Sequence, residues 1–214
     1  MKTPTLFAGM SREEIREFTQ CMGAMCKTFT LGQEIYDYGK QTQYIGVLLS
    51  GEAEIISYDL YGKRTATLHF VQAGGNFGEE YVFLKEPQPV KVLCTKNCEI
   101  LFLHTGTLLS PCGNSCRPHK VFLSNLVALY NEKLRLERTH VYILSRPTIR
   151  EKLLAFFTEL SKTHDSFAFD MPFNLTRLAG YLNVNRSAMT RELAKLKKER
   201  LVELQGRRVT IYYM

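Results

Sequence analysis

Six glycines, at positions 32, 39, 51, 62, 74 and 75, cut the stretch from Lys27 to Leu109 into short pieces rich in β-branched and aromatic residues. The pieces run over 28–31, 34–38, 44–49, 53–58, 65–71, 90–95 and 99–104. Glycine reaches the positive-φ conformations that tight turns need, so this spacing predicts many short strands and a β-sandwich or barrel. Ahead of it, 11–21 reads as a short helix. Ser11 can cap it, and Glu14 supplies the carboxylate of a capping box three residues on.

From about Arg117 the period changes to that of a helix. No Pro or Gly falls between Pro118 and Arg146, which is long for a globular helix. Leu123, Val127, Tyr130, Leu134, Val141 and Leu144 keep a 3–4 spacing, with Glu137 in one seam position. A second stripe, Phe122, Leu126, Leu129 and Leu136, lies beside it. One stripe can pack on the chain's own β domain, leaving the other to pair with a second copy as a coiled coil. The expected homodimer interface is therefore Leu123, Val127, Tyr130, Leu134 and Val141. Arg146-Pro147 ends the helix, because the residue before proline is pushed out of the α region.

The segment 175–198 carries the sharpest motif. Asn174 can cap a helix running to Leu182, with Leu175, Leu178 and Leu182 on its inner face. Asn183 tolerates the left-handed conformation of a tight turn. Val184 plugs the corner, Asn185 caps a second helix with Met189, Leu193 and Leu196 inside, and Ala179 is small where the helices must meet. This is the chemistry of a helix-turn-helix. Its second helix places Arg186, Ser187, Thr190 and Arg191 on one face, where a recognition helix meets base edges in the major groove. Arginine suits guanine O6 and N7; Ser and Thr suit either a hydrogen bond or a thymine methyl. Lys195, Lys197, Lys198 and Arg200 extend the basic surface. Residues 201–204 and 209–213 alternate around Gln205-Gly206-Arg207-Arg208, a hairpin expected to act as a wing on the DNA backbone. The candidate DNA contacts are thus Thr176, Asn185, Arg186, Ser187, Thr190, Arg191, Lys195, Arg207 and Arg208.

Charge agrees. The chain of 214 residues carries a formal +7. Residues 141–214 hold 13 of the 28 Lys and Arg but only 7 of the 21 Asp and Glu, so nearly all the positive excess lies in the last third. Such a surface suits a polyanion, from which Lys and Arg displace condensed counterions.

A glycine-punctuated β region, a long helix and a winged helix-turn-helix, in that order, resemble the cyclic-AMP receptor protein / fumarate-nitrate regulator superfamily of bacterial transcription regulators. The resemblance covers nearly the whole chain. It is carried by Gly32-Gln-Glu-Ile35 with Gly39, Leu49-Ser-Gly-Glu-Ala53, Gly74-Gly-Asn-Phe-Gly-Glu79 and Val184-Asn-Arg-Ser-Ala-Met-Thr-Arg-Glu-Leu193. It implies an α+β chain: a cyclic-nucleotide-binding-like β-roll (a double-stranded jelly roll) over 1–116, a dimerisation helix over 117–145 and a winged helix-turn-helix over 146–214. It also implies a homodimer, a small-molecule effector site in each β-roll, a palindromic target in double-stranded DNA, and contact with RNA polymerase if the protein is an activator.

At the effector site the sequence departs from the nucleotide-binding relatives. Gly78 and Glu79 match, but Pro89 and Val90 stand where those relatives have an arginine and a hydroxyl residue. Proline has neither charge nor N–H to offer an anion, and Lys91 should point to the opposite side of its strand. An effector other than cyclic AMP is expected, in a pocket between β-roll and long helix near Phe77, Gly78, Glu79, Pro89, Val90, Lys91, Tyr130 and Leu134.

The six cysteines fall in pairs, 21/26, 94/98 and 112/116. Cys112 and Cys116, with His119 close by, leave three readings open: inert thiols, a redox switch, or two thiolates and an imidazole on a metal. Iron–sulfur relatives carry a tight N-terminal cysteine cluster that Cys21 and Cys26 alone do not reproduce. His69 and His104 have no haem motif around them. No cofactor is called for, and no Walker loop, G-x-S-x-G, H-E-x-x-H or dinucleotide fingerprint suggests an enzyme. A ligand-sensing module acting through protein contacts is the other alternative; Arg186 and Arg191 on an exposed helical face argue against it. The apolar runs are far shorter than the roughly 20 residues of a membrane helix, and Met1 to Ser11 lacks an apolar signal region. The expected location is the cytoplasm, with no membrane partner.

Overall fold

The computed structural model describes residues 4–40, 43–84, 86–109 and 116–213. The chain divides into two compact units, Met1–Tyr130 and Asn131–Met214.

The first unit opens with α1 (Arg12–Cys21). Ser11 accepts from the Glu14 amide and Glu14 accepts from the Ser11 amide, so the capping box forms as its residues dictate. Among the described residues six antiparallel strands follow: β1 (Met25–Phe29), β2 (Glu34–Asp37), β3 (Tyr44–Tyr58), β4 (Arg64–Gln72), β5 (Asn76–Phe77) and β6 (Val90–His104). Their order is β1-β6-β3-β4, with β2 also on β6 and β5 also on β3.

Two pairs of short strands expected from the sequence are in fact two long ones. Residues 44–49 and 53–58 are both in β3, and 90–95 and 99–104 both in β6. The register between β3 and β6 shifts three times between Leu48 and Ala53. Each such irregularity bends and twists the strand without ending it. Gly51 sits inside this bend at φ +86, where a side chain would overlap the Asn97 carbonyl and Cys98. The first strand also begins earlier than expected. β1 pairs Met25–Phe29 with Phe102–Cys98, while Leu31 lies beyond it, exposed, its amide donating to Asn97 Oδ1.

Two apolar cores serve this unit. One lies inside the roll, around Tyr38, Leu48, Ala53, Phe77, Val92, Ile100 and Phe102. The other joins the roll to α1 and to α3 (Arg117–Leu144), through Phe7, Phe18, Met22, Ile45, Leu103, Phe122 and Leu126. The rings of Phe18 and Phe122 stack at 4.7 Å. Burial of such side chains contributes about 1.5–3 kcal/mol each, and fixes the first turns of α3 on the roll. A short α2 (Thr105–Leu109) precedes it.

Along α3 the two expected stripes separate. Phe122 and Leu126 are buried, while Leu123, Val127, Leu134 and Val141 are exposed. Two residues depart from that scheme. Leu136, placed by spacing on the inner stripe, is 51 % exposed. Tyr130, placed in the outer seam, is half-buried and donates its hydroxyl to the Glu79 carbonyl. The phenol reaches a backbone acceptor that an aliphatic residue there could not use.

The second unit holds α4 (Ile149–His164), β7 (Ala168–Asp170), α5 (Leu175–Tyr181), α6 (Arg186–Lys198), β8 (Val202–Gln205) and β9 (Arg208–Ile211). The sheet order is β7-β9-β8. Its core gathers Leu153, Phe156 and Phe157 of α4 with Leu178 and Leu182, Met189, Leu193 and Leu196, and Val209 and Ile211.

Candidate functional site

The geometry of α5 and α6 is set by three asparagines. Asn174 Oδ1 accepts from the Arg177 amide. Asn183 takes the left-handed conformation at φ 49 and turns the chain. Asn185 Oδ1 accepts from both the Ser187 and Ala188 amides. Each cap satisfies backbone donors that a helix start leaves open. Lys152 of α4 closes the other end, its Nζ 3.2 Å from the Leu182 carbonyl. Met189, Leu193 and Leu196 are buried, so the opposite face of α6 is held outward.

That outward face carries Arg186, Ser187, Thr190 and Arg191, all exposed, as are Thr176 and Asn185. Neither Arg186 nor Arg191 enters an ion pair among the described residues. The acidic groups of α6 are neutralised away from them. Arg150 of α4 pairs with Glu192 at 3.5 Å and with Glu199, and Lys195 pairs with Glu192 at 3.0 Å. Glu199 is held below its ordinary pKa, mainly by its hydrogen bond to Arg150. The N-terminal half of α6 is left cationic and open.

Sequence reasoning missed α4 and this clamp. The signal was present: Thr148 with Glu151 three residues on is a capping-box pattern, and both of its reciprocal hydrogen bonds form. The two expected wing contacts are more committed than the sequence suggested. Arg207 Nε and Nη2 donate to the Met171 carbonyl at 3.1 and 2.8 Å, and Arg208 faces Asp170 at 3.5 Å. Both arginines hold the wing to its own domain, because β7 and Met171 run beside the β8–β9 turn. Thr190 Oγ1 likewise donates to the Arg186 carbonyl.

In the first unit, the residues expected around the effector are placed differently from one another. Phe77, Gly78, Glu79 and Val90 are buried, whereas Pro89 is exposed. Tyr38, wholly buried, stands against Gly78 and donates to the Tyr44 carbonyl at 3.2 Å. Its ring packs on those of Tyr36 and Tyr81 at 4.7 and 4.9 Å. Burial drives the Tyr38 phenol pKa well above 10, so it is a neutral donor. Lys91 is engaged elsewhere. Its Nζ is 3.0 Å from Glu34 and 3.4 Å from Asp37, and lies over the Tyr58 ring at 5.0 Å. The side chain is on the far side of its strand, as alternation requires, and its charge is already answered. Leu134 is exposed on α3.

Cys112 lies outside the described residues. Cys116 is half-buried, and His119 Nε2 is engaged by the Leu108 carbonyl at 2.7 Å, which removes one nitrogen from a metal reading. Among the described residues no cluster of three or more His, Cys, Asp or Glu could hold a metal ion. Cys94 and Cys98 are buried with sulfurs 3.4 Å apart, and burial, reinforced by Cys94, pushes the Cys98 thiol up to about 12. No helix among the described residues is long and apolar enough to cross a membrane.

Residues 26–113 match the model of the cyclic nucleotide-binding domain, and residues 151–214 that of the Crp-like helix-turn-helix domain. No curated protein matches the chain. Among solved structures the chain is similar to the catabolite activator protein of Thermus thermophilus, at 22 % identity and a TM-score of 0.56, over 97 % of this chain and 93 % of that one. It is similar to the c-di-GMP-responsive global regulator CLP of Xanthomonas campestris, at 17 % identity and a TM-score of 0.59, over 95 % and 100 %. CprK in complex with OCPA is similar at 16 % identity and a TM-score of 0.69, over 94 % and 89 %. At these identities the likeness speaks for the fold.

Proposed function

The chain belongs to the cyclic-AMP receptor protein / fumarate-nitrate regulator family of DNA-binding transcription regulators, and on that premise we propose that it acts in the cytoplasm as a homodimer on a palindromic operator, under control of a small molecule other than cyclic AMP. The observation that carries the DNA reading is the pair Arg186 and Arg191. Both project from a capped, buried-backed helix, and no ion pair among the described residues engages either one. A guanidinium in that position offers two parallel donors to a guanine edge, and the surrounding basic surface offers phosphate contacts.

The dimer reading rests on Leu123, Val127, Leu134 and Val141, an exposed apolar row at coiled-coil spacing along α3. Two copies would bring two recognition helices to half-sites about one helical turn apart, roughly 10 bp. If the protein activates transcription, RNA polymerase is its further partner. The effector reading rests on what fills the roll. Tyr38 stands where space beside Gly78 would be needed, and exposed Pro89 offers a cyclic phosphate no donor.

Selection from a pool of random duplexes, read out by sequencing, tests the proposal. A palindrome enriched with wild type and lost with the Arg186→Ala/Arg191→Ala protein is expected. Enrichment of no sequence, or of the same sequence by both proteins, would refute it.

A further inference from the structure

We propose that the β-roll carries a second kind of pocket, a cleft between β1 and β2 that binds a flat aromatic monoanion. The cleft has a volume of about 470 Å³, within the range of roughly 300–1,000 Å³ typical of small-molecule sites. None of Phe77, Gly78, Glu79, Pro89, Val90, Lys91 or Tyr130 lines it. Its occupant is the effector only if the regulatory reading above is right; the binding claim itself stands on the cleft.

Four rings make the walls: Phe29, Tyr36, Tyr44 and Phe102. Tyr44 stands edge-on to Phe102 at 6.1 Å and 86°, Phe29 meets Phe102 at 6.2 Å and 68°, and Tyr36 is tilted against it at 6.0 Å and 33°. Rings set across one another in this way offer both faces and edges, the two surfaces with which a further aromatic ring prefers to pack. Tyr36 contributes its ring; its Oη is enclosed beside the Gln43 and Tyr44 backbones and does not open into the cleft.

The charges in the cleft select the sign of the ligand. Glu34 and Asp37 are both answered, by Lys40 and Lys91 from two sides, and Asp37 also accepts from Tyr58 Oη at 2.8 Å. Lys27 is different. Its Nζ lies 5.9 Å from the centre of the Phe102 ring, and no carboxylate among the described residues pairs with it. One ammonium thus remains uncommitted at the mouth of an aromatic box. Aromatic cages also take cationic ligands, but here the unpaired Lys27 would repel a second cation. A carboxylate on an aromatic ring meets Lys27 while the ring fills the box.

Calorimetry on the full chain with three probes that share a ring system tests this: 2-naphthoate, 2-naphthalenemethanol and 2-naphthylmethylammonium. Saturable binding of 2-naphthoate is expected, at least ten-fold tighter than either other probe. Lys27→Met should weaken 2-naphthoate ten-fold or more and leave the alcohol unchanged. That side chain is exposed, so the variant should fold, and its unchanged circular dichroism verifies this. No saturable heat up to millimolar 2-naphthoate, equal binding of the ammonium or the alcohol, or an indifferent Lys27→Met protein would each overturn the assignment. DNA binding is not the readout, so a failed operator selection and an empty cleft remain separate results.

Discussion

Tyr38 occupies the space that a side chain at Gly78 would need: a Cβ on Gly78 would overlap the Tyr38 hydroxyl. Gly78 also holds φ +91, which a residue with a side chain rarely adopts. The turn after β5 and the tyrosine cluster of the roll are therefore built on each other. Gly78→Ala should lower stability by about 2–4 kcal/mol, from left-handed strain together with overpacking. Urea denaturation measures it; a loss under 0.5 kcal/mol would mean that Tyr38 moves aside freely.

The same relationship bears on nucleotide binding. With Tyr38 against Gly78 and with Pro89 exposed, a cyclic phosphate would be buried with few donors, and an unpaired buried charge is costly. Calorimetry with cyclic AMP and cyclic GMP at millimolar ligand is expected to show no binding. A saturable micromolar isotherm for either would overturn this.

Arg150 gives a pH-dependent prediction. Its hydrogen bond is the main cause of the lowered Glu199 pKa. A carboxylate whose folded pKa is depressed contributes stability above its unfolded pKa, near 4.5, and loses it as pH falls through the lower folded value. Arg150→Met should therefore lose stability at pH 7 and much less at pH 3.5, where both proteins have Glu199 increasingly protonated. Glu199 is open to solvent, so the difference will be small. Denaturation curves at the two pH values check it; an equal loss at both would place the effect in packing instead.

For the dimer, Leu134→Asp should place a charge in the α3 seam of each chain, and sedimentation should show monomer. A dimer of unchanged strength would move the interface off this row.

What was legible in the sequence was local. Ser11 with Glu14, Asn174, Asn183 and Asn185 act within three residues of themselves, and each does in the structure what its chemistry implies. What was not legible joins distant positions. Lys91 pairs with Glu34 from 57 residues away, Arg207 with Met171 from 36, and Tyr130 with Glu79 from 51. No spacing rule reports such partners. The strands show the same division: glycines mark where the chain can turn, but the bulges that let β3 and β6 run on for 15 residues each depend on their pairing.

We propose that Arg186 and Arg191 read bases from α6. The most direct test is the affinity of wild type and of each single alanine variant for a selected operator and for that operator mutated at one guanine, at fixed salt. Each substitution should cost about 1–3 kcal/mol on the operator and remove the preference at one base pair, while binding to unrelated DNA changes far less. Arg186→Ala and Arg191→Ala proteins that keep both the affinity and the base preference of wild type would contradict the assignment of α6 as the recognition helix.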